Sequence, residues 1–181
     1  MSRTKNLDSR EQLIEACLGA FIQAGTLDLS LDTLAKAAKS SKRMLVHYFG
    51  SREALEQRAM LLLEDRLRAR FRAEMFPTGA TARSVILALW DQVSRPASRG
   101  VLLLTMDLTG RSWSGSERAQ QFFEEQQRLW SEMLIKFLPS AGDVEALLQM
   151  FQGAVLMYLV TGDRDRGKRA LDRLLQGLNC R

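Results

Sequence analysis

Histidine occurs once in this sequence of 181 residues, cysteine twice and proline three times. With His47 alone, Ser-His-Asp triads and multi-histidine metal sites are excluded. Cys17 lies in an apolar helical pattern and Cys180 at the tail. Neither a disulfide framework nor a zinc site is therefore expected, and a reducing cytoplasm fits. Paired carboxylate motifs and a Gly-rich phosphate loop are missing as well, so we expect no catalysis, no cofactor and no metal. The opening MSRTKNLDSREQ lacks the apolar core of a signal peptide. The longest uncharged run, 146–162, contains Gln149 and Gln152 and barely reaches spanning length, so it reads as a buried helix and no membrane is expected as partner. Strand alternation, internal repeats and low-complexity tracts are absent, and Pro77, Pro96 and Pro139 all fall between helical patterns. The fold expected is all-α, with about nine helices.

Apolar residues make up 46% of the chain, enough for a substantial core. The net charge is +5, and residues 1–52 carry +3 of it, from 8 basic and 5 acidic side chains. Within that part, LDTLAKAAKSSKRMLVHYFGSR (31–52) holds two short helical patterns across a polar break. Ser30 can cap a helix over 31–39, on which Leu31, Leu34, Ala35 and Ala38 share one face. Ser40 and Ser41 interrupt it and can cap a second helix over 42–49, which Gly50 and Ser51 stop. That is a helix-turn-helix layout.

Turning about 100° per residue, Leu45 and Phe49 define the inward side of the second helix. Arg43, Met44 and His47 fall opposite, Val46 and Tyr48 on the flanks, and Lys42 at the N-terminal end. From Thr33 to Arg52 there is no acid, but there are Lys36, Lys39, Lys42, Arg43 and Arg52. Clustered cations without neighbouring acids suit a phosphate-binding surface; a solvated helix face is the plainer alternative.

At Ala38, Lys39, Ser40, Ser41, Lys42, Leu45, His47, Tyr48, Phe49, Ser51, Arg52, Glu53 and Leu55 the chain resembles the TetR family of bacterial transcriptional regulators. Leu13, Ile14, Cys17, Leu18, Phe21 and Gly25 stand where the family's first helix and closing turn would be. The resemblance covers about residues 10–60. Lys39 occupies the place of the family's turn glycine, and a left-handed Lys39 costs about 1 kcal/mol that glycine would not. Arg43, Met44 and Val46 also depart from the family pattern, leaving fewer hydroxyls for phosphates.

The resemblance implies a homodimeric, ligand-responsive repressor of a near-palindromic operator. Double-stranded DNA, a second copy of the chain and a small-molecule effector would be its partners. Arg43, Met44 and His47 would lie nearest the bases, and Ser30, Lys42, Tyr48 and Arg52 would hold phosphates, with Ser41 and Val46 beside them. The expected division is a DNA-binding domain over 1–52, its motif at about 30–49, and a helical effector-binding and dimerisation domain over 53–181.

Asp8 with Glu11 resembles a capping pair for the first helix. After Ser51 a long helix is expected, with Leu55, Ala59, Leu63, Leu67, Phe71 and Met75 every four residues. Further helices are expected at about 81–94, 98–109, 116–138, 143–160 and 164–178. Large side chains at helical spacing in this part are mostly core. The cavity implied by the resemblance draws its candidates from Trp90, Met106, Asp107, Trp113, Phe122, Trp130 and Phe151. Asp107, an acid in an apolar run, either anchors a cationic ligand or pairs with an arginine. The run GAVLMYLV (153–160) is apolar all round, so it needs cover on two sides. Met150, Ala154 and Met157 there, with Leu171, Leu174 and Leu175 on the last helix, are the candidate dimer contacts of a four-helix bundle. Two other readings are a helical enzyme and a DNA-binding protein whose effector is another protein.

With about six to eight phosphate contacts per dimer, the logarithm of DNA affinity should fall with the logarithm of salt at a slope of about −5 to −7. A titration across salt concentrations checks this, and a shallow slope would count against a phosphate-binding surface. Arg43→Ala should change which sequence is preferred when bound fragments are selected from a random pool. An unchanged preference would misplace the groove-facing side.

Overall fold

The computed structural model describes residues 2–70 and 76–178, and among them every regular element is a helix. In chain order these are α1 (Ser2–Ala24), α2 (Leu31–Ala37), α3 (Lys42–Phe49), α4 (Arg52–Arg70), α5 (Ala82–Val93), α6 (Arg99–Trp113), α7 (Glu117–Leu134), α8 (Ala141–Thr161) and α9 (Arg164–Leu178). Pro96–Ser98 adds a single 3-10 turn before α6. The nine-helix expectation therefore holds among the described residues.

Most ends follow from local chemistry. Ser30, Ser41, Thr81 and Ser140 each accept a backbone N–H from three residues on, closing the first turns of α2, α3, α5 and α8. Ser51 does the same for α4 through the Ala54 amide at 3.2 Å. Two expectations are corrected. Helix α1 already begins at Ser2, so Asp8 and Glu11 lie inside it rather than at its start. Helix α6 runs through Gly110 to Trp113 rather than stopping near 109, because Arg111 pairs with Asp107 one turn back and carries the helix past the glycine. Phe71 and Met75 of the expected long stripe lie outside the described residues.

The chain packs as two compact units, Met1–Leu67 with Leu103–Phe122, and Arg68–Leu102 with Phe123–Arg181. Leu55, Ala59 and Leu63 of α4 are buried with the N-terminal residues' unit, and α6 after Leu102 belongs to it too. In the first unit the buried side chains include Ile14, Leu18, Phe21, Leu34, Leu45 and Phe49. Cys17 is fully buried among them, which pushes its thiol up to about 11 and leaves no reactive thiolate near neutral pH.

The second unit is organised around Trp90, which has no exposed surface. Its ring meets Phe151 and Tyr158 edge-on at 5.8 and 6.1 Å, and its Nε1 donates to the Arg164 carbonyl at 3.2 Å. Arg164 donates in turn to Asp91 Oδ1 and to Ser94 Oγ, both at 2.7 Å, fastening α9 to the end of α5. Helix α8 is long and apolar enough to cross a membrane by length and composition. Here Val144, Leu147, Val155 and Tyr158 on one of its sides are buried in this unit's core.

Gly167 of α9 lies against the indole so closely that an added Cβ would fall 2.3 Å from Trp90 Cζ2. Alanine normally favours a helix over glycine by about 1 kcal/mol. At 167 the clash should reverse that sign, and Gly167→Ala should destabilise by about 1–3 kcal/mol. Gly19 of α1 has nothing within 4 Å, so Gly19→Ala should stabilise by about 0.5–1 kcal/mol. Denaturant midpoints of the two variants check the pair. A neutral Gly167→Ala would mean that α9 is free to move off the indole.

Candidate nucleic-acid interface

Helix α2 ends at the Ala38 cap, and the chain reverses through Lys39 at φ 48°, the only non-glycine residue with positive φ among those described. The Ser40 amide donates to the Ala35 carbonyl at 2.9 Å and the Lys39 amide to Lys36 at 3.1 Å. This is the double closure that glycine usually makes, and Lys39 adopts it at the expected cost of about 1 kcal/mol. Ser41 then caps α3 by accepting from the Met44 amide at 3.2 Å, and Gly50 at φ 83° ends it.

Within α3 only Leu45 (1% exposed) and Phe49 (7%) are buried, and the Arg10 guanidinium lies over the Phe49 ring at 5.7 Å. Lys42, Arg43, Met44, Val46 and His47 are exposed, and Tyr48 is half-buried, its ring edge-on to His47 at 5.3 Å. The structure thus brings Ser41, Lys42, Arg43, Met44, Val46, His47 and Tyr48 together on one eight-residue helix, with Ser30 at the head of α2. Ser30 and Ser41 are both already accepting from backbone amides.

Two basic residues are placed differently from the free phosphate ligands expected of them. Lys42 Nζ is 2.7 Å from Asp32 Oδ2, both half-exposed or more. Asp32 lies one residue before the acid-free stretch that starts at Thr33. Nothing in helical spacing signals a pair formed across the turn between α2 and α3. Arg52 is held inward: Nε donates to Glu56 Oε1 at 2.8 Å, and Nη2 donates to the Leu27 carbonyl at 3.3 Å and reaches Asp28 Oδ1 at 3.5 Å. The hydrogen bond to Glu56 raises the already high pKa of its guanidinium.

The ligand candidates are divided between the two units. Met106, Asp107, Trp113 and Phe122 belong to the first unit, and Trp90, Trp130 and Phe151 to the second. Trp113 is 94% exposed, Phe122 is buried, and Trp130 and Phe151 pack against the core around Trp90. Asp107 accepts from the Leu27 amide at 3.1 Å and from Arg111 Nε at 2.8 Å. Burial pushes its carboxyl upward, but these two hydrogen bonds and the charge of Arg111 outweigh that and hold it below its usual range. It is the arginine-paired structural acid of the two alternatives. Size and helical spacing identified these residues as large and apolar but could not say which unit each helix delivers them to.

A groove of about 670 Å³ does lie between α7 and α8, over an apolar floor of Phe123, Ile135, Val144 and Leu148 with Gln127, Ser131, Gln149 and Gln152 around it. Of the dimer candidates, Ala154, Leu171 and Leu175 are buried in their own chain. Met150 and Met157 are 39% and 38% exposed, and Leu174 is half-buried. Because α8 is apolar all round from Gly153 to Val160, its pattern there could not distinguish the core side from the open one. Among the described residues no group of three His, Cys, Asp or Glu side chains could hold a metal ion.

Residues 9–59 match the family of bacterial regulatory proteins known as the tetR family. Through this segment the chain is similar to the TetR family. No curated protein matches the chain. Among solved structures, a transcriptional regulator from Rhodococcus sp. Rha1 shares 18% identity at TM-score 0.76, covering 93% of this chain and 95% of that one. A TetR-family regulator from Cytophaga hutchinsonii shares 20% at TM-score 0.71, with 96% of each chain covered, and Salmonella enterica GusR shares 18% at 0.66, with 95% of each covered. These likenesses extend the TetR-like fold over nearly the whole chain. A DNA-binding transcriptional regulator is the function that goes with the family and the exposed α3.

On a DNA-bound α3, Asp32 would compete with phosphate for Lys42. An exposed pair of this kind contributes about 0.2–1 kcal/mol. Asp32→Asn should therefore tighten binding to random-sequence duplex by about two- to fivefold per subunit at low salt, measured by fluorescence anisotropy. Unchanged affinity would remove Lys42 from the phosphate contacts.

Proposed function

We propose that the protein is a homodimeric repressor that leaves a palindromic operator when a small molecule binds its helical C-terminal part. The observation that carries this reading is the uncovered side of α8, where Met150 (39%), Met157 (38%) and Val160 (73%) are exposed, with Ala146 one turn before them and Gly153 between Met150 and Met157. Residues 146, 150, 153, 157 and 160 recur at steps of four and three, the spacing of a helix seam, and the small residues permit close approach of a partner helix. On α9, Ala170 and Gly177 are exposed and Leu174 is half-buried at the same spacing. Two copies of α8 and α9 would then form a four-helix bundle, and a two-fold axis there pairs two α3 helices with two half-sites.

Base-edge contacts are assigned to Arg43, Met44 and His47, and phosphate contacts to Lys42 and Tyr48, with Ser30, Ser41 and Val46 alongside. Single-site recognition by an eight-residue helix is weak, and joining two raises it through effective concentration. For release to be nearly complete, the effector must favour the non-binding form by about 5.5 kcal/mol. The α7–α8 groove has the volume of a small-molecule site, in the range of about 300–1,000 Å³.

A second reading, control by a protein partner, is favoured by one observation. The aromatic side chains Trp90, Phe151 and Tyr158 fill the second unit's interior, while the groove lies open at the surface.

Val160→Asp with Met157→Asp should convert a dimer into a monomer in sedimentation at micromolar concentration and abolish binding to a palindrome selected by the wild type. A wild type that sediments as a monomer would sink the dimeric reading.

A further inference from the structure

Leu27, in the turn between α1 and α2, has both of its backbone groups held by side chains from other helices. Its N–H donates to Asp107 Oδ2 of α6 at 3.1 Å, and its carbonyl accepts from Arg52 Nη2 of α4 at 3.3 Å. Each arm is itself oriented from one turn further on. Arg111 Nε donates to the same Asp107 oxygen at 2.8 Å, and Glu56 accepts from Arg52 Nε at 2.8 Å. The Leu27 side chain is 3% exposed. Gly25, at φ 70°, sits so near α6 that an added Cβ would lie 2.7 Å from Leu103 Cβ. Leu103, Asp107 and Arg111 are successive turns of one α6 face, and the turn is seated on that face. Within the turn itself, Leu29 N to Leu27 O (2.9 Å) and Asp28 N to Thr26 Oγ1 (3.0 Å) hold residues 27–29 together.

We propose that Asp107 and Arg52 are positioning residues for DNA binding: they clamp the Leu27 peptide and so fix where α2 and α3 begin, without touching DNA. This rests on reading α3 as the DNA-contacting helix. An unclamped turn leaves a buried N–H without a partner and lets Ser30 and the two helices after it shift. Base contacts demand donor–acceptor distances good to a few tenths of an ångström, so only the clamped form binds well. Loss of the clamp lowers the competent fraction of the free protein and leaves the bound contacts as they were. Apparent affinity then falls by that fraction on every sequence alike. Sequence preference and salt slope stay unchanged, which separates a positioning role from a base or phosphate contact.

The experiment uses Asp107→Ala, Asp107→Asn, Arg52→Gln and the Asp107→Ala/Arg52→Gln pair, on the full chain. Amide hydrogen exchange of the free protein should speed up over residues 26–34 in the alanine variant and less in the asparagine variant, which keeps one acceptor oxygen. Exchange in α5, α8 and α9 should be unaffected. Binding to random duplex and to a wild-type-selected fragment should weaken together, on the order of tenfold, with parallel salt slopes. The double variant should lose less than the product of the two singles, since both arms hold one residue.

A salt slope shallower by about one for Arg52→Gln would make it a phosphate ligand and overturn the clamp. Unchanged exchange over 26–34 in a folded Asp107→Ala would overturn it too. If Asp107→Ala does not fold, the asparagine variant carries both readouts. If the wild type binds no DNA, the reading of the protein as a regulator fails while the exchange result still decides the clamp.

Discussion

The burial of Leu45 and Phe49 is the constraint on which the reading head depends. An eight-residue helix is marginal in water because forming its first turn is unfavourable and too few residues follow. Burying a leucine and a phenylalanine contributes about 1.5–3 kcal/mol each, and the Ser41 cap about 1 more. These two contacts make α3 a helix and also set its rotation. With Leu45 and Phe49 inward, Arg43, Met44 and His47 have no direction left but outward. Specificity here follows from packing.

Local rules are broken at two points in this region. Lys39 takes a left-handed conformation that glycine would adopt without strain, and Asp32 stands beside the cation Lys42 that a phosphate would claim. The strain at Lys39 keeps another cation on the turn of the reading head. The Asp32–Lys42 pair is exposed and weak, so it holds the lysine near the start of α3 without preventing exchange for a phosphate oxygen. Arg52 illustrates the opposite case. Its guanidinium has three protein oxygens around it, and moving it to DNA would forfeit those hydrogen bonds.

Helix order, caps and the outward face of α3 were legible in the sequence because each depends on residues within about four positions of one another. Ser30 and Ser41 announce themselves, and so do Leu45 and Phe49. What was not legible depends on distance along the chain. The Asp107 to Leu27 bond joins residues 80 apart, and no periodicity encodes it. The extent of α1 was missed because a cap-like pair, Asp8 and Glu11, sits within a helix that continues on both sides. Ala154, Leu171 and Leu175 were assigned to an interface on apolar pattern alone. Where a helix is apolar all round, the pattern contains no information about which side meets its own core. The packing of α8 against α9 supplied it.

The open side of α8 raises a question that length and composition alone leave open. A 21-residue apolar helix passes the test for a membrane span. In this fold, however, α8 packs along α9, whose exposed residues include Arg166, Lys168, Arg169 and Arg173. Carrying α8 into a bilayer would take those charges with it, at about 2.5–3.5 kcal/mol for each one near the centre. The opposite side of α8 is also committed, since Val144, Leu147, Val155 and Tyr158 fill a core that insertion would have to open. A protein surface would cover Met150, Met157 and Val160 at neither cost. The seam of small and large residues on that side, with charges kept to the flanks of α9, suits the helix pair of the proposed dimer.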